Sequence, residues 1–193
     1  MDSGEGSGKT AYVYVMMPWL SRFQWHAFTL CPHPTKPDHS TVCIGVTGDW
    51  TRRLHEEIAA PSIKTAYFYG PFESEFSDVA IDATHCVAVA SGIGITPTLS
   101  LVQRYKGLKR VNVVWACQDA GLVEYFLHKM DLSAISQYAF LLIFYTGTRE
   151  LVLPRQLPAN FFIFRTRPNL ESTIAGIISI IERGEDLPEE MCK

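Results

Sequence analysis

The sequence predicts a chain of two unlike parts (α/β plus β), an antiparallel β unit followed by a unit built on a parallel sheet, over 193 residues. Three observations predict it. Up to Tyr69 the apolar runs are short and are separated by turns rich in proline and aspartate, with one helical stretch among them. Beyond Thr84 strands and helices alternate, the pattern of a parallel sheet with helices packed on its faces. Between the two, residues 85–105 (HCVAVASGIGITPTLSLVQRY) run directly from strand to glycine turn to helix.

Taken in order, residues 1–10 (MDSGEGSGKT) imitate a phosphate loop. Ser3 stands where that motif needs its first glycine, and Met1-Asp2 cannot supply the preceding strand, so a flexible leader is expected. Residues 11–17 (AYVYVMM) read as a buried strand ended by Pro18, residues 25–30 (WHAFTL) as a second, and residues 40–46 as a third, with HPTKPDHS as an intervening turn. Gly48-Asp49-Trp50-Thr51 precedes a short helix over 52–60. Asp49 and Thr51 could cap that helix or leave its first N–H groups to a phosphate. Residues 64–69 form one more strand, and Gly70-Pro71-Phe72 is the turn that ends it.

The second unit opens with a strand over 86–90, too short for a helix and rich in valine. A helix over 97–105 follows, with Pro97 at its first position, where a missing N–H has no partner to lose. Then come a strand at 111–116, a helix at 121–130, strands at 140–145 and 161–165, and a helix at 170–183. The division falls near residues 74–84, giving units 1–78 and 79–193. No internal repeat is visible.

A formal charge of −3, from 17 basic and 20 acidic residues, gives no support for nucleic acid as partner. No apolar run reaches the length of a membrane span, and the N-terminus lacks a secretory signal. The five cysteines are odd in number and scattered, which reads as reduced thiols in a cytosolic setting. The six histidines are dispersed and suggest no metal site.

The chemistry concentrates at Gly92-Ile93-Gly94. A strand, a glycine turn and a helix N-terminus present backbone N–H groups to an anion. Glycine there lets the backbone approach a pyrophosphate and adopt positive φ. Alone, the pair reads first as a tight turn between strand and helix.

It is not alone. His26-Ala27-Phe28-Thr29-Leu30, Gly48-Asp49-Trp50-Thr51, Gly70-Pro71-Phe72 and Gly92-Ile93-Gly94-Ile95-Thr96-Pro97 occur in the order and approximate spacing of known motifs. Together they resemble the dehydrogenase region of the NADPH oxidases and ferric reductases, in the ferredoxin–NADP reductase superfamily. Val114-Trp115-Ala116-Cys117 and Arg167-Pro168 resemble two further landmarks, and the likeness spans residues 8–168. The resemblance implies an incomplete FAD-binding antiparallel β-barrel followed by an incomplete Rossmann-like α/β nucleotide-binding domain.

By that resemblance, the strand carrying His26 to Leu30 lies along FAD. His26 would meet the pyrophosphate, Phe28 would lie near the isoalloxazine, and Thr29 would hydrogen-bond near flavin N5. These pairings are chemically sensible for an imidazole, an aromatic face and a hydroxyl. Without the other motifs His26 reads first as a core histidine bonded to a neighbouring carbonyl. Gly48 and Thr51 would open the helix that takes the flavin pyrophosphate, and Trp50 is assigned no contact. Gly70 and Pro71 resemble an interdomain turn, with Glu73 where a further glycine is common. The loop Ser91, Gly92, Ile93, Gly94 and Pro97 would bind the NAD(P)H pyrophosphate. Thr96 would stand on the nicotinamide side, which makes Thr29 and Thr96 the catalytic candidates; as a plain residue, Thr96 reads as a helix cap. Cys117 matches a cysteine that the oxidases follow with arginine, where this chain has Gln118. Arg149, Arg165 and Arg167 are the remaining cations for a ribose 2′-phosphate, each also readable as a surface charge. NADPH is expected and NADH left open.

Two departures weigh against completeness. Only about four strands are legible before Gly70, fewer than such a barrel holds, and the chain closes in GEDLPEEMCK rather than in the family's Cys-Gly motif and aromatic end. A fragment or decayed paralogue is the expectation. The implied activity is hydride transfer from NAD(P)H to FAD, then single electrons to haem and oxygen or to ferric iron. A membrane haem domain, as parent or partner chain, would supply the membrane association. A non-catalytic remnant binding nucleotide or a partner is the alternative. An unrelated dinucleotide enzyme would explain the glycine loop but not the upstream motifs.

Overall fold

The computed structural model describes residues 10–33, 35, 36, 39–80, 82–130, 132, 135 and 139–183. The leader up to Lys9 and the acidic tail from Gly184 lie outside the described residues, as do parts of the expected HPTKPDHS turn.

The first sheet has four antiparallel strands: β1 (Ala11–Met16), β2 (His26–Pro32), β3 (Ser40–Val42) and β4 (Tyr67–Glu73), in spatial order β3-β2-β1-β4. Helix α1 (Asp49–Glu57) lies between β3 and β4 in the chain. The second sheet is parallel, with β5 (His85–Ser91), β6 (Arg110–Cys117), β7 (Leu141–Tyr145) and β8 (Phe161–Phe164) in sequential order. Helices α2 (Ile95–Arg104), α3 (Ala120–Lys129) and α4 (Leu170–Arg183) complete it.

The core sits on the parallel sheet. Strands β6 and β7 are near-continuous apolar runs because both their faces are covered. Val113, Trp115, Leu141, Ile143 and Tyr145 alternate onto the face that holds Leu99, Val123 and Phe126 of α2 and α3. Val114, Leu142 and Phe144 alternate onto the other face, against Ile177 of α4. Among the described residues no helix is long and apolar enough to cross a membrane.

Four expected boundaries move, each for a physical reason. The strand expected over 40–46 pairs only as far as Val42. Beyond it the chain leaves the edge so that Gly45 backs onto Ile93, whose Cβ lies 3.5 Å from where a Cβ at Gly45 would stand. Helix α1 begins at Asp49 rather than at Arg52, because the Thr51 hydroxyl accepts the N–H groups of Thr47 and Gly48 at 2.9 and 3.0 Å. Helix α2 begins at Ile95, so Pro97 is its third residue, still within the first turn where N–H groups lack helical partners. Gly70-Pro71 is not a turn. Strand β4 runs through it, with Tyr12 opposite Phe72 and Tyr14 opposite Tyr69, so that both residues oppose Val13 in a bulge. Gly70 has φ +130°, and a Cβ there would stand 3.2 Å from the Tyr12 carbonyl. Glycine suits that backbone and proline suits an edge strand at a bulge.

Candidate functional site

The two faces of β2 look at different elements. His26 and Phe28 turn toward α1, where the His26 and Trp50 rings are 4.2 Å apart between centroids and Phe28 and Trp50 are 6.1 Å apart. In this cluster His26 Nε2 and Trp50 Nε1 are buried and have no hydrogen-bond partner. Buried polar atoms are nearly always paired, so this pair of nitrogens marks a place lacking an acceptor. Cys31, on the opposite face, packs toward α2, its thiol 3.9 Å from the Thr96 carbonyl oxygen.

The glycine turn follows β5 without a break. Gly92–Gly94 forms one 3₁₀ turn running into α2, with Gly92 at φ +51°. The Trp115 indole N–H donates to the Gly92 carbonyl at 2.8 Å and so fixes the turn from the neighbouring strand. A Cβ at Gly92 or at Gly94 would meet no protein atom within 4 Å. The space over this backbone is therefore open. Ser91 is exposed at the end of β5. Thr96 is 5% exposed and its hydroxyl donates to the Ile93 carbonyl at 3.0 Å. That hydroxyl braces the turn from within.

Strand β2 and α2 are joined directly. The Ser100 hydroxyl donates to the Leu30 carbonyl at 2.8 Å, across 70 residues of chain. Beside this junction lies a cavity of about 320 Å³ whose walls include Thr10, Tyr12, Phe28, Thr29, Ser74 and Pro97. Its volume is at the small end of ligand pockets. Thr29 from the antiparallel sheet and Pro97 from the helix after the glycine turn thus share one hollow.

The other expected residues spread to two places. Gly48 is the exposed N-cap of α1, and Thr51 sits in that helix's first turn. Cys117, Gln118, Arg149 and Arg167 all stand at or just beyond the carboxyl ends of β6, β7 and β8, the edge where parallel sheets bind ligands. Burial raises the Cys117 thiol above its ordinary pKa, and its sulfur lies 3.5 Å from the Asp119 carbonyl oxygen. Gln118 and Arg167 are exposed. Arg149 is paired with Glu124 at 2.7 Å, and this bond holds the Glu124 carboxyl below the usual carboxylate range. Gly70 and Pro71 lie within β4 rather than on the cavity wall.

Sequence reasoning missed Trp115, Ser100 and Gly147 as supports of the site. A Cβ at Gly147 would overlap the Gln118 carbonyl oxygen and the Tyr145 hydroxyl, so glycine is required where β7 leaves the sheet. A tryptophan at the strand end beside a glycine turn was the available signal for Trp115. Nothing local marks Ser100. Trp50, assigned no contact from the sequence, stacks on His26.

An antiparallel sheet is thus joined through its interior strand β2 to helix α2 of a parallel sheet, with a glycine turn beside the junction. Residues 6–89 match the FAD-binding domain family. The chain is 35% identical over 133 residues to NADPH oxidase 3 of Homo sapiens, covering 60% of this chain and 23% of that protein. It is 29% identical over 124 residues to ferric reduction oxidase 8, mitochondrial, of Arabidopsis thaliana, covering 55% and 16%. The chain thus spans less than a quarter of the length of these relatives. In fold it is similar to a ferredoxin NADP⁺ reductase from Neisseria gonorrhoeae with bound FAD and NADP, with TM-score 0.50, 14% identity and coverage of 95% of this chain and 70% of that one. It is likewise similar to full-length CYP116B46 from Tepidiphilus thermophilus, with TM-score 0.50, 18% identity and coverage of 88% and 22%. Over these stretches the chain is similar to NADPH oxidases and ferric reduction oxidases, the resemblance its motifs carry.

Proposed function

We propose that this chain is a flavoprotein oxidoreductase domain that binds FAD in unit 1–78 and NADPH in unit 79–193. The observation that carries the reading is the shared cavity, in which Thr29 of the flavin-type strand and Pro97 of the dinucleotide-type turn line one hollow. The residues present suit the cofactor: His26 Nε2 and Trp50 Nε1 lack acceptors, and the Gly92 and Gly94 backbone is open to a close ligand. Bound at this site, FAD would supply hydride acceptance from NADPH and single-electron release, chemistry that belongs to the cofactors.

The protein positions and screens. His26 Nε2 donates to a phosphate oxygen, relieving its unpaired burial. Phe28 and Leu30 supply apolar wall, and the Thr29 hydroxyl exchanges a hydrogen bond with the flavin edge. Gly48 and Thr51 shape the α1 N-terminus toward the flavin phosphates. Ser91 to Gly94 and Pro97 receive the dinucleotide pyrophosphate, with Thr96 holding the turn from inside. Gln118, Arg149 and Arg167 stand toward the adenosine ribose, Arg149 by exchanging Glu124 for a 2′-phosphate. Bidentate arginine contact favours NADPH over NADH. The acceptor of the electrons is a haem domain in a membrane, in the same or a partner polypeptide.

The test is a visible spectrum of the purified chain after loading with FAD. Yellow protein whose flavin bleaches on adding NADPH without oxygen supports the reading. Colourless protein that ignores both nucleotides overturns it and leaves the non-catalytic remnant.

A further inference from the structure

We propose that Cys31 and Cys43 form a dithiol oxidised by hydrogen peroxide, a modification site between the two sheets that closes to an intramolecular disulfide. Cys31 lies in β2 opposite Thr41 of β3. Cys43 is the second residue past Thr41, so strand alternation puts both thiols on one face. On that face each thiol shifts the ionisation of the other. The Thr96 carbonyl of α2 is 3.9 Å from the Cys31 sulfur, and Tyr125 of α3 acts on the ionisation of Cys43. Strand β2, the segment after β3, and helices α2 and α3 thus converge on this pair.

The two thiols are not equivalent. Cys31 is 1% exposed, whereas Cys43 is half-buried and within reach of a small oxidant. The neighbouring Cys31 lowers the Cys43 pKa below the ordinary thiol value, against burial, which raises it. The neighbouring Cys43, and then burial, raises Cys31. The exposed side of the pair makes Cys43 the attacking thiol and buried Cys31 the resolving one.

The chemistry balances with peroxide as oxidant. The Cys43 thiolate attacks one peroxide oxygen and the O–O bond breaks, giving a sulfenic acid and hydroxide, which takes a proton to become water. The Cys31 sulfur then attacks the Cys43 sulfur, and the S–O bond breaks. The leaving hydroxyl departs as water with the Cys31 proton. Two thiols and one peroxide yield one disulfide and two waters, with two electrons passing from sulfur to oxygen.

Closure needs a short movement that the fold permits. Diagonal residues in a regular ladder stand about 7–8 Å apart, slightly beyond the roughly 4.4–6.8 Å Cα separation of a disulfide. Cys43 lies beyond the last ladder pair, and residues 43–47 belong to no strand or helix. Its approach to Cys31 therefore breaks no strand pairing. Gly45 rests on Ile93 of the glycine turn, so the bond would fix β2 covalently to the segment that packs against that turn. The proposal goes beyond the cofactor reading and does not depend on it.

The test uses the full chain, reduced and then treated with hydrogen peroxide, alkylated, digested and mapped by mass. A peptide linking Cys31 to Cys43, two hydrogens lighter and restored by dithiothreitol, is expected. Cys43 should be consumed at least about tenfold faster than Cys86, which is likewise half-buried. In Cys31→Ser, Cys43 should stop as a sulfenic acid captured by dimedone. In Cys43→Ser, Cys31 should oxidise no faster than Cys86. Should Cys31→Ser fail to fold, the half-buried position of Cys43→Ser and the unmutated chain still decide. Linkage of either thiol to Cys86, Cys117 or Cys192, or oxidation of Cys43 at the rate of Cys86, overturns the proposal.

Discussion

Replacing Gly94 with alanine separates what the fold needs at the glycine turn from what a ligand needs. Gly94 has φ −60° and ψ −6°, an ordinary helical backbone for any residue. A Cβ there meets no protein atom within 4 Å. The fold therefore loses no contact, and the stiffer unfolded chain should raise stability by about 0.4–1 kcal/mol. A dinucleotide pyrophosphate drawn against the same backbone would meet the new methyl. Losing one hydrogen bond to a charged group costs about 1.5–3 kcal/mol, which is roughly ten- to a hundredfold in affinity. Gly94→Ala should therefore need more urea to unfold while binding NADPH at least about tenfold more weakly in a fluorescence titration. Gly92→Ala is the contrast: its φ of +51° adds a backbone cost of about 1–2 kcal/mol, so stability and binding should fall together. A Gly94→Ala chain that binds NADPH as tightly as the unmutated one would refute the placing of pyrophosphate on this turn.

Trp115→Phe keeps an aromatic ring against Phe126 but removes the indole bond to the Gly92 carbonyl. It should cost about 1–3 kcal/mol in urea unfolding and speed amide exchange in the glycine turn. Gly147→Ala forces a methyl into the Gln118 carbonyl and the Tyr145 hydroxyl, so a loss of about 1–3 kcal/mol or more is expected by thermal unfolding. Glu124→Gln breaks the pair with Arg149 and weakens the acceptor of the Val152 N–H. Because the folded-state pKa of Glu124 is depressed, its contribution is present above the ordinary carboxylate pKa and lost as pH falls through the folded value. The variant should be less stable than the unmutated chain at neutral pH, and the gap should close on acidification in parallel denaturant titrations.

The parallel sheet was the most legible part because its signal is local. The Val113-Val114-Trp115 and Leu141-Leu142-Ile143 runs announce strands covered on both faces, and Gly92-Ile93-Gly94 marks the turn after β5. Helix α4 runs over the residues its periodicity predicts, Leu170–Arg183. Features set by a partner strand were not legible. Gly70-Pro71 carries the residues of a turn, yet pairing of β4 with β1 on both sides of it makes a bulge. The end of β3 at Val42 depends on Ile93, some 50 residues away, receiving Gly45. The motif residues could be named from sequence, but not their exposure. Thr96 turns its hydroxyl inward, and Arg149 finds Glu124 on α3, both results of packing between elements. Cys31 and Cys43 looked scattered because only the β2–β3 register brings them together.

The bulge in β4 has a consequence for how this molecule meets other copies of itself. Strand β4 borders its sheet, and Tyr67, Phe68 and Tyr69 stand half or more exposed along it. An aromatic border of that kind is a template for fibrillar stacking. Proline offers no N–H to an incoming strand, and the kink made by Gly70 throws the ladder out of phase at its midpoint. The same two residues that fit the chain around Val13 therefore cap the run of strand that a neighbouring molecule could copy.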